Sequence, residues 1–253
     1  WIQIGHAAIA ETFARAGLGW AVIDCEHGII DLESAASLMR AMARGSCTPL
    51  VRVPVNDSAW IARSLDAGAR GIVVPMVNTA EQAKAAVAAA KYAPSGRRGF
   101  GYCAANAYGV DFDQYAAEAN QAITVTVQIE HIEAVENIDR ILDVEGVHSV
   151  FVGPYDLSGS LDVVGQMDHP KMIAALDRVS RSCQEHNVPA GVHVVQPEPD
   201  RVTKAIESGF QIIALSLDAV LLYRAMHDFL KESRDRIANS SRDRSAISTD
   251  SPR

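Results

Sequence analysis

The chain has 253 residues, with 23 Lys and Arg against 31 Asp and Glu, for a formal charge of −8. It is 48% hydrophobic and 21% charged, so it can bury a sizeable core and is not a disordered chain. The acid excess argues against nucleic-acid or anionic-membrane surfaces, and no run of about 18 apolar residues is present to span a membrane.

The opening Trp1-Ile2-Gln3-Ile4 has neither a basic segment nor an initiator Met. Residues 2–4 read as a strand, and a leading segment is expected to be missing in front of it. Helix 7–16 follows, then strand 20–24, helix 31–44, strand 49–53, helix 57–66, strand 71–75 and helix 79–91. Residues 93–115 read as one long loop rich in Gly, Ala and Tyr, of a length that is often functional. Strand 123–129, helix 132–142, strand 148–152, helix 169–186, strand 189–195, helix 198–207, strand 210–216 and helix 217–230 complete the pattern. The strands are near-continuous in apolar and β-branched residues, as strands buried on both faces are. Gly17, Gly68 and Gly209 sit where left-handed helix caps are usual.

Strands alternating with helices over residues 1–230 have the arithmetic of a single (β/α)8 TIM barrel with a parallel eight-stranded core. A doubly wound open sheet would announce itself by G-x-G-x-x-G after the first strand, and none is there. Gly96-Arg97-Arg98-Gly99-Phe100-Gly101 follows a helix and reads as a loop. Residues 231–253 are rich in Ser, Arg and Asp and read as a disordered polar tail. Cys25, Cys47, Cys103 and Cys183 form no C-x-x-C pair and no zinc spacing. They read as small buried hydrophobes in a reduced, cytoplasmic protein.

A barrel of this kind builds its site at the C-terminal ends of the strands. Asp24, Glu26 and His27 follow strand 20–24, and Arg52 ends strand 49–53. Gln128 and Glu130 end strand 123–129, Asp156 follows strand 148–152, and strand 189–195 contributes His193. Ser216 and Asp218 close the circuit. Each charge taken singly also fits a solvated loop; their joint placement at one rim favours a site. Two carboxylates on consecutive strands, Glu130 and Asp156, suit a hard divalent ion in oxygen coordination. Such an ion could act as a Lewis acid on a 2-oxo acid, with Arg52 adding fixed charge at the same oxygen. His27 is the residue suited to proton transfer near neutral pH, with Asp24 expected to bond its imidazole and fix its tautomer. The five lysines, Lys84, Lys91, Lys171, Lys204 and Lys231, all fall outside the strands, which disfavours a Schiff base.

These residues carry a resemblance. Ile23-Asp24-Cys25-Glu26-His27-Gly28 resembles the D-x-E-H-G segment of the HpcH/HpaI family of metal-dependent class II pyruvate aldolases, and Leu50-Val51-Arg52-Val53-Pro54 resembles its arginine strand. Gln128-Ile129-Glu130 and Val152-Gly153-Pro154-Tyr155-Asp156-Leu157-Ser158 resemble its two metal-ligand segments. The likeness runs in order from residue 1 to about residue 230. It implies reversible aldol cleavage of a 4-hydroxy-2-oxo acid to pyruvate and an aldehyde, without an organic cofactor. Glu130 and Asp156 would hold Mg2+, Mn2+ or Co2+, Arg52 would stabilise the enolate, and His27 would be the acid/base residue with Asp24 as partner. Gln128, Gly153, Pro154, Tyr155 and His193 would meet substrate, with backbone N–H groups near Tyr155 and Asp156 on the pyruvate carboxylate. Asp66 would reach a neighbouring subunit's site. The assembly implied is a homohexamer built from dimers with an exchanged C-terminal helix.

His193 departs from the pattern, which leads one to expect an apolar, aldehyde-facing residue. Hydrogen bonding to a hydroxylated aldehyde and plain packing both remain open there. Residues 101–106 are expected to form part of a lid. Two competing readings stand beside the aldolase. One is a CoA-thioester lyase of citramalyl or malyl type, for which Arg97 and Arg98 are the paired basic residues near the rim. The other is a non-catalytic barrel that binds a keto acid or a partner protein.

Overall fold

The computed structural model describes residues 1–196 and 198–248. Seven parallel strands form one sheet in sequential order: β1 (Trp20–Asp24), β2 (Thr48–Arg52), β3 (Gly71–Val74), β4 (Thr124–Ile129), β5 (Ser149–Val152), β6 (Ala190–Val194) and β7 (Ile212–Leu215). Helices alternate with them: α1 (Ala7–Arg15), α2 (Leu32–Met42), α3 (Ser58–Asp66), α4 (Ala80–Ala90), α5 (Phe112–Ala122), α6 (Ile132–Glu136), α7 (Ile138–Leu142), α8 (Pro154–Ser160), α9 (Pro170–Glu185), α10 (Pro199–Glu207) and α11 (Asp218–Ser248). This is an α/β fold with a curled, seven-stranded parallel sheet.

The expected eighth strand, 2–4, is present only as a single bridge between Ile2 and Ile23. Ile2 donates to the Val22 carbonyl at 2.8 Å, and its own carbonyl accepts from Asp24 N–H at 3.0 Å. On the other side the Trp1 carbonyl accepts from Asp218 N–H at 3.1 Å. The Asp218 carboxylate accepts from the backbone of Gln3 and Ile4. Buried Asp218 is thus a clamp for the opening residues.

Local chemistry accounts for the helix ends. Asp57 caps α3 through the N–H groups of Ala59 and Trp60, and Thr79 with Gln82 closes a capping box on α4. Gly17, Gly68 and Gly209 adopt φ of 87°, 116° and 88°, the left-handed turn expected of them.

Three stretches differ from the sequence reading. The loop expected over 93–115 contains a 3-10 turn (Ala104–Gly109) and the start of α5. There Tyr115 packs edge-on to Tyr92 and Ala119 is buried, so a short apolar face suffices to seat the helix. Helix 132–142 breaks into α6 and α7 at Asn137. Residues 231–248, expected to be disordered, continue α11; Arg236 pairs with Glu232 one turn away, the kind of contact that supports an exposed helix. Residues 249–253 of that tail lie outside the described residues.

The main core lies between the sheet and the helices, with Leu38, Met42, Ile61, Leu65 and Ile138 fully buried. A second cluster joins Trp1 to Val22, Val73, Phe151 and Ala214. These four come from β1, β3, β5 and β7, so they form one layer on the concave side, supplied by alternate strands. Side chains alternate faces along a strand, so positions two residues further on share that side. They are Asp24, Pro75, Gly153 and Ser216, and the interleaved strands add Arg52, Gln128 and His193. Toward the C-terminal ends of the strands the concave side changes from apolar to polar.

Candidate active site

At that rim a cavity of about 350 Å3 is lined by Asp24, His27, Arg52, Gln128, Asp156 and His193, among others. Gly153, Pro154 and Tyr155 also border it. The rim expected from the sequence therefore converges, drawn from β1, β2, β4, β6 and the start of α8.

Arg52 is its anchor. Asp24 and Arg52 are register partners on β1 and β2, and they meet as a two-point ion pair: Nε to Oδ1 at 2.9 Å and Nη2 to Oδ2 at 2.7 Å. Asp24 is fully buried and Arg52 nearly so. Arg52 Nη1 also meets Glu26 at 2.9 Å, and its guanidinium lies 4.5 Å over the Trp1 ring. Burial works against the Asp24 carboxylate, but Arg52 and the Gln3 amide, 2.8 Å from Oδ2, hold its pKa below the ordinary value. The guanidinium is thus held in one plane, with its charge beside the cavity.

The expected bond from Asp24 to the His27 imidazole is not formed. Asp24 accepts instead from the backbone N–H groups of Glu26 and His27 at 3.1 and 3.2 Å. The reason is positional: Asp24 ends β1 facing inward against Arg52, whereas His27 stands in the exposed turn beyond it. Asp24 therefore shapes the turn that carries His27 and does not touch its ring.

Glu130 lies behind the cavity wall, 3% exposed. Its Oε1 accepts from Met76 N–H at 2.6 Å and its Oε2 from the Gln128 amide at 2.6 Å. Burial, together with the negative charges of Glu26 and Asp156, pushes its carboxyl up to about 7 against the Met76 bond. A buried carboxylate in acidic company fits a cation, which would reverse that preference. The Gln128 Oε1 beside it is sealed and has no partner. Among the described residues no three His, Cys, Asp or Glu side chains converge as a closed metal cluster. Glu130 and Asp156 are close enough for the charge of one to act on the other, and two such carboxylates could offer oxygen donors to a hard cation.

Gly153 makes room for this arrangement. A Cβ there would lie 2.7 Å from Glu130 Oε2 and 3.0 Å from Gln128 Nε2, although its φ of −92° suits any residue. Gly153→Ala should therefore lower kcat/KM by about a hundredfold through displacement of the Glu130 carboxylate. The far-UV circular dichroism should stay that of the wild type. Comparing the two measurements checks this; wild-type kinetics would mean that the carboxylate has slack.

Met76 and Ser216 follow β3 and β7 with left-handed φ of 52° and 56°. Strain of this kind gathers at functional rims. Met76 turns its N–H onto Glu130, and the Ser216 carbonyl lies 3.0 Å from His193 Nε2. Backbone conformation, which no residue-type pattern announced, supplies these two contacts. Trp1 and Gln3 also line the cavity; residue type does not mark them, and their i, i+2 spacing on the opening strand is the sequence signal that does.

Asp66 and the segment 101–106 lie away from this cavity. Asp66 does not reach this chain's cavity; it pairs at 2.6 Å with Arg98, whose guanidinium lies 4.7 Å over Tyr92. Residues 101–106 do not line the cavity and are tied together by Asn106, which bonds Gly101, Cys103 and Gly109. Burial pushes the Cys25 and Cys183 thiols up to about 12, as befits packing residues. No helix among the described residues is long and apolar enough to cross a membrane.

Known proteins bear on this geometry. The chain is 36% identical over 223 residues to a hydroxypyruvate/pyruvate aldolase of Roseobacter denitrificans, covering 88% of this chain and 86% of that one. It is 36% identical over 239 residues to a 4-hydroxy-2-oxovalerate aldolase of Novosphingobium aromaticivorans, covering 94% and 90%. Its structure is similar to that of an HpcH/HpaI aldolase/citrate lyase family protein from Burkholderia cenocepacia J2315, with a TM-score of 0.88, 34% identity and coverage of 92% and 93%. Residues 1–225 match the model of one family across nearly the whole described fold, and the chain belongs to that family, HpcH/HpaI aldolase/citrate lyase.

Proposed function

We propose that the protein is a carbon–carbon lyase that cleaves a 4-hydroxy-2-oxo acid reversibly to pyruvate and an aldehyde. The observation that carries this reading is the Asp24-gripped Arg52 beside the same cavity as Asp156 and, just behind Gln128 and Gly153, Glu130. Relatives named as aldolases of 2-oxo acids support it.

Glu130 and Asp156 would hold a divalent cation, Mg2+, Mn2+ or Co2+. When bound, such an ion supplies Lewis-acid polarisation of the 2-oxo group. Arg52 places a fixed positive charge where the enolate oxygen develops. His27, on its exposed turn, takes the proton from the C4 hydroxyl as the C3–C4 bond breaks. The electron pair of that bond becomes the enolate, and a proton added at C3 yields pyruvate. Backbone N–H groups at Tyr155 and Asp156 open α8, where intrahelical acceptors are lacking, and are suited to the pyruvate carboxylate.

Residues 1–4, hydrogen-bonded to β1 and to Ser216 just after β7, act as the eighth stave of a closed barrel. The enzyme works in the cytoplasm as a homo-oligomer, a hexamer by resemblance, in which Asp66 serves a neighbouring site and α11 is exchanged. The exposed Leu222, Tyr223, Met226 and Phe229 on α11 support such a contact. The CoA-thioester reading is weakened by Arg98, which is buried against Asp66 and not available to a phosphate.

Pyruvate release from a panel of 4-hydroxy-2-oxo acids, with EDTA and with each added metal, tests the proposal. Pyruvate formed only with metal is the expected result; none under any metal would remove the aldolase reading. His27→Ala should lower cleavage by about 10²–10⁴-fold. Calorimetric metal affinity should remain within about twofold, because the ring makes no contact with either carboxylate in this arrangement. A large fall in affinity would make His27 a ligand.

A further inference from the structure

The reacting end of the cavity is accounted for by Arg52, Gln128 and Asp156, with Glu130 behind. Elsewhere the wall includes Tyr155, His193, Val195 and Leu217, a stretch against which a group attached beyond C4 can lie. Three of those four offer mainly apolar surface; His193 is the one that brings a ring nitrogen.

That imidazole is held in one pose. It stacks on Trp1 with ring centroids 5.3 Å apart and 22° between planes. Its Nε2 lies 3.0 Å from the Ser216 carbonyl oxygen. A carbonyl can only accept, so Nε2 carries the proton and Nδ1 carries the lone pair. Among the described residues no group bonds Nδ1, and it is not sealed from solvent. Burial lowers the ring pKa to about 4, so the imidazole stays neutral at neutral pH and the Ser216 carbonyl selects its tautomer. The result is a fixed hydrogen-bond acceptor beside the apolar surfaces of Tyr155, Val195 and Leu217, where such a bond discriminates more than it would in water.

We infer that Nδ1 of His193 accepts a hydrogen bond from a hydroxyl on the aldehyde part of the substrate, so that the enzyme selects hydroxylated aldehydes over alkyl aldehydes of equal size. This rests on the aldolase reading. It adds what the reacting carboxylates and Arg52 leave open, the chemical class of the aldehyde.

The test is addition of pyruvate to glycolaldehyde and to propanal, which have the same number of heavy atoms. The ratio of their kcat/KM values is compared between wild type and variants, so differences in aldehyde hydration cancel. His193→Phe keeps a ring to stack on Trp1 but has no acceptor, and His193→Leu removes both features. Each should shift the ratio toward propanal by about tenfold, the worth of one hydrogen bond. His193→Gln, which can satisfy Ser216 or present a carbonyl oxygen, should recover part of the preference. Exchange of pyruvate methyl protons in deuterium oxide is followed in parallel as a report on the enolate site alone. No exchange in the wild type would defeat the aldolase reading itself. Exchange in the wild type, with a ratio unchanged within twofold in a folded Phe or Leu variant, would overturn the role of His193 and leave that reading standing.

Discussion

Arg52→Lys should lose about 10²–10³ in kcat/KM although the positive charge is kept. Arg52 meets Asp24 through two nitrogens and Glu26 through a third, all within 2.9 Å. An ammonium group cannot reproduce that planar fork. It would follow the buried Asp24 carboxylate and withdraw from the cavity, so the developing enolate loses its fixed charge. Arg52→Ala should also destabilise the fold by about 3–5 kcal/mol, because it leaves Asp24 charged, fully buried and without its main partner. Steady-state kinetics and urea unfolding of the two variants separate these effects. If the lysine variant reacts at the wild-type rate, Arg52 serves the fold and not the reaction.

Glu130→Gln should abolish detectable metal binding by calorimetry and reduce cleavage to background, while the metal-free fold stays intact. The amide oxygen of the new side chain can still accept from Met76 N–H. Its NH2 would face the Gln128 amide, but rotating Gln128 would turn its partnerless Oε1 to accept from it. The substitution thus removes a charge and preserves shape and hydrogen bonding. A thermal midpoint close to that of the wild type, measured with EDTA, together with loss of metal binding, is the expected pair of results. Retained metal affinity would move the cation site away from Glu130.

Much of this was legible in residue order. The seven strands of the sheet lie within two residues of where runs such as Trp20-Ala21-Val22-Ile23-Asp24 and Val125-Thr126-Val127-Gln128-Ile129 put them. Such runs record burial on both faces directly in residue type. The end-of-strand positions of Asp24, Arg52, Gln128 and His193 followed from the same boundaries. The short helix α8 was not legible, because Pro154-Tyr155-Asp156-Leu157-Ser158 is too brief to show a helical period. The opening residues have β-branched character, yet they form only one bridge, because their other hydrogen bonds go to Asp218 and to the chain after β7.

Residue order by itself determined the alternation of strands and helices and the clustering of carboxylates, an arginine and histidines at the C-terminal ends of the strands. Periodicity and residue type suffice for that, since both report on burial and local backbone preference. Tertiary structure decided the partners. It joined Asp24 to Arg52, 28 residues away, and not to the nearby His27, because strand register sets which inward side chains face each other. It turned Met76 N–H onto Glu130, kept Asp66 with Arg98, and left His193 with its proton on Nε2 and its lone pair free. Hydrogen bonds depend on distances of about 3 Å between atoms remote in the chain, and only the folded sheet brings those atoms within reach.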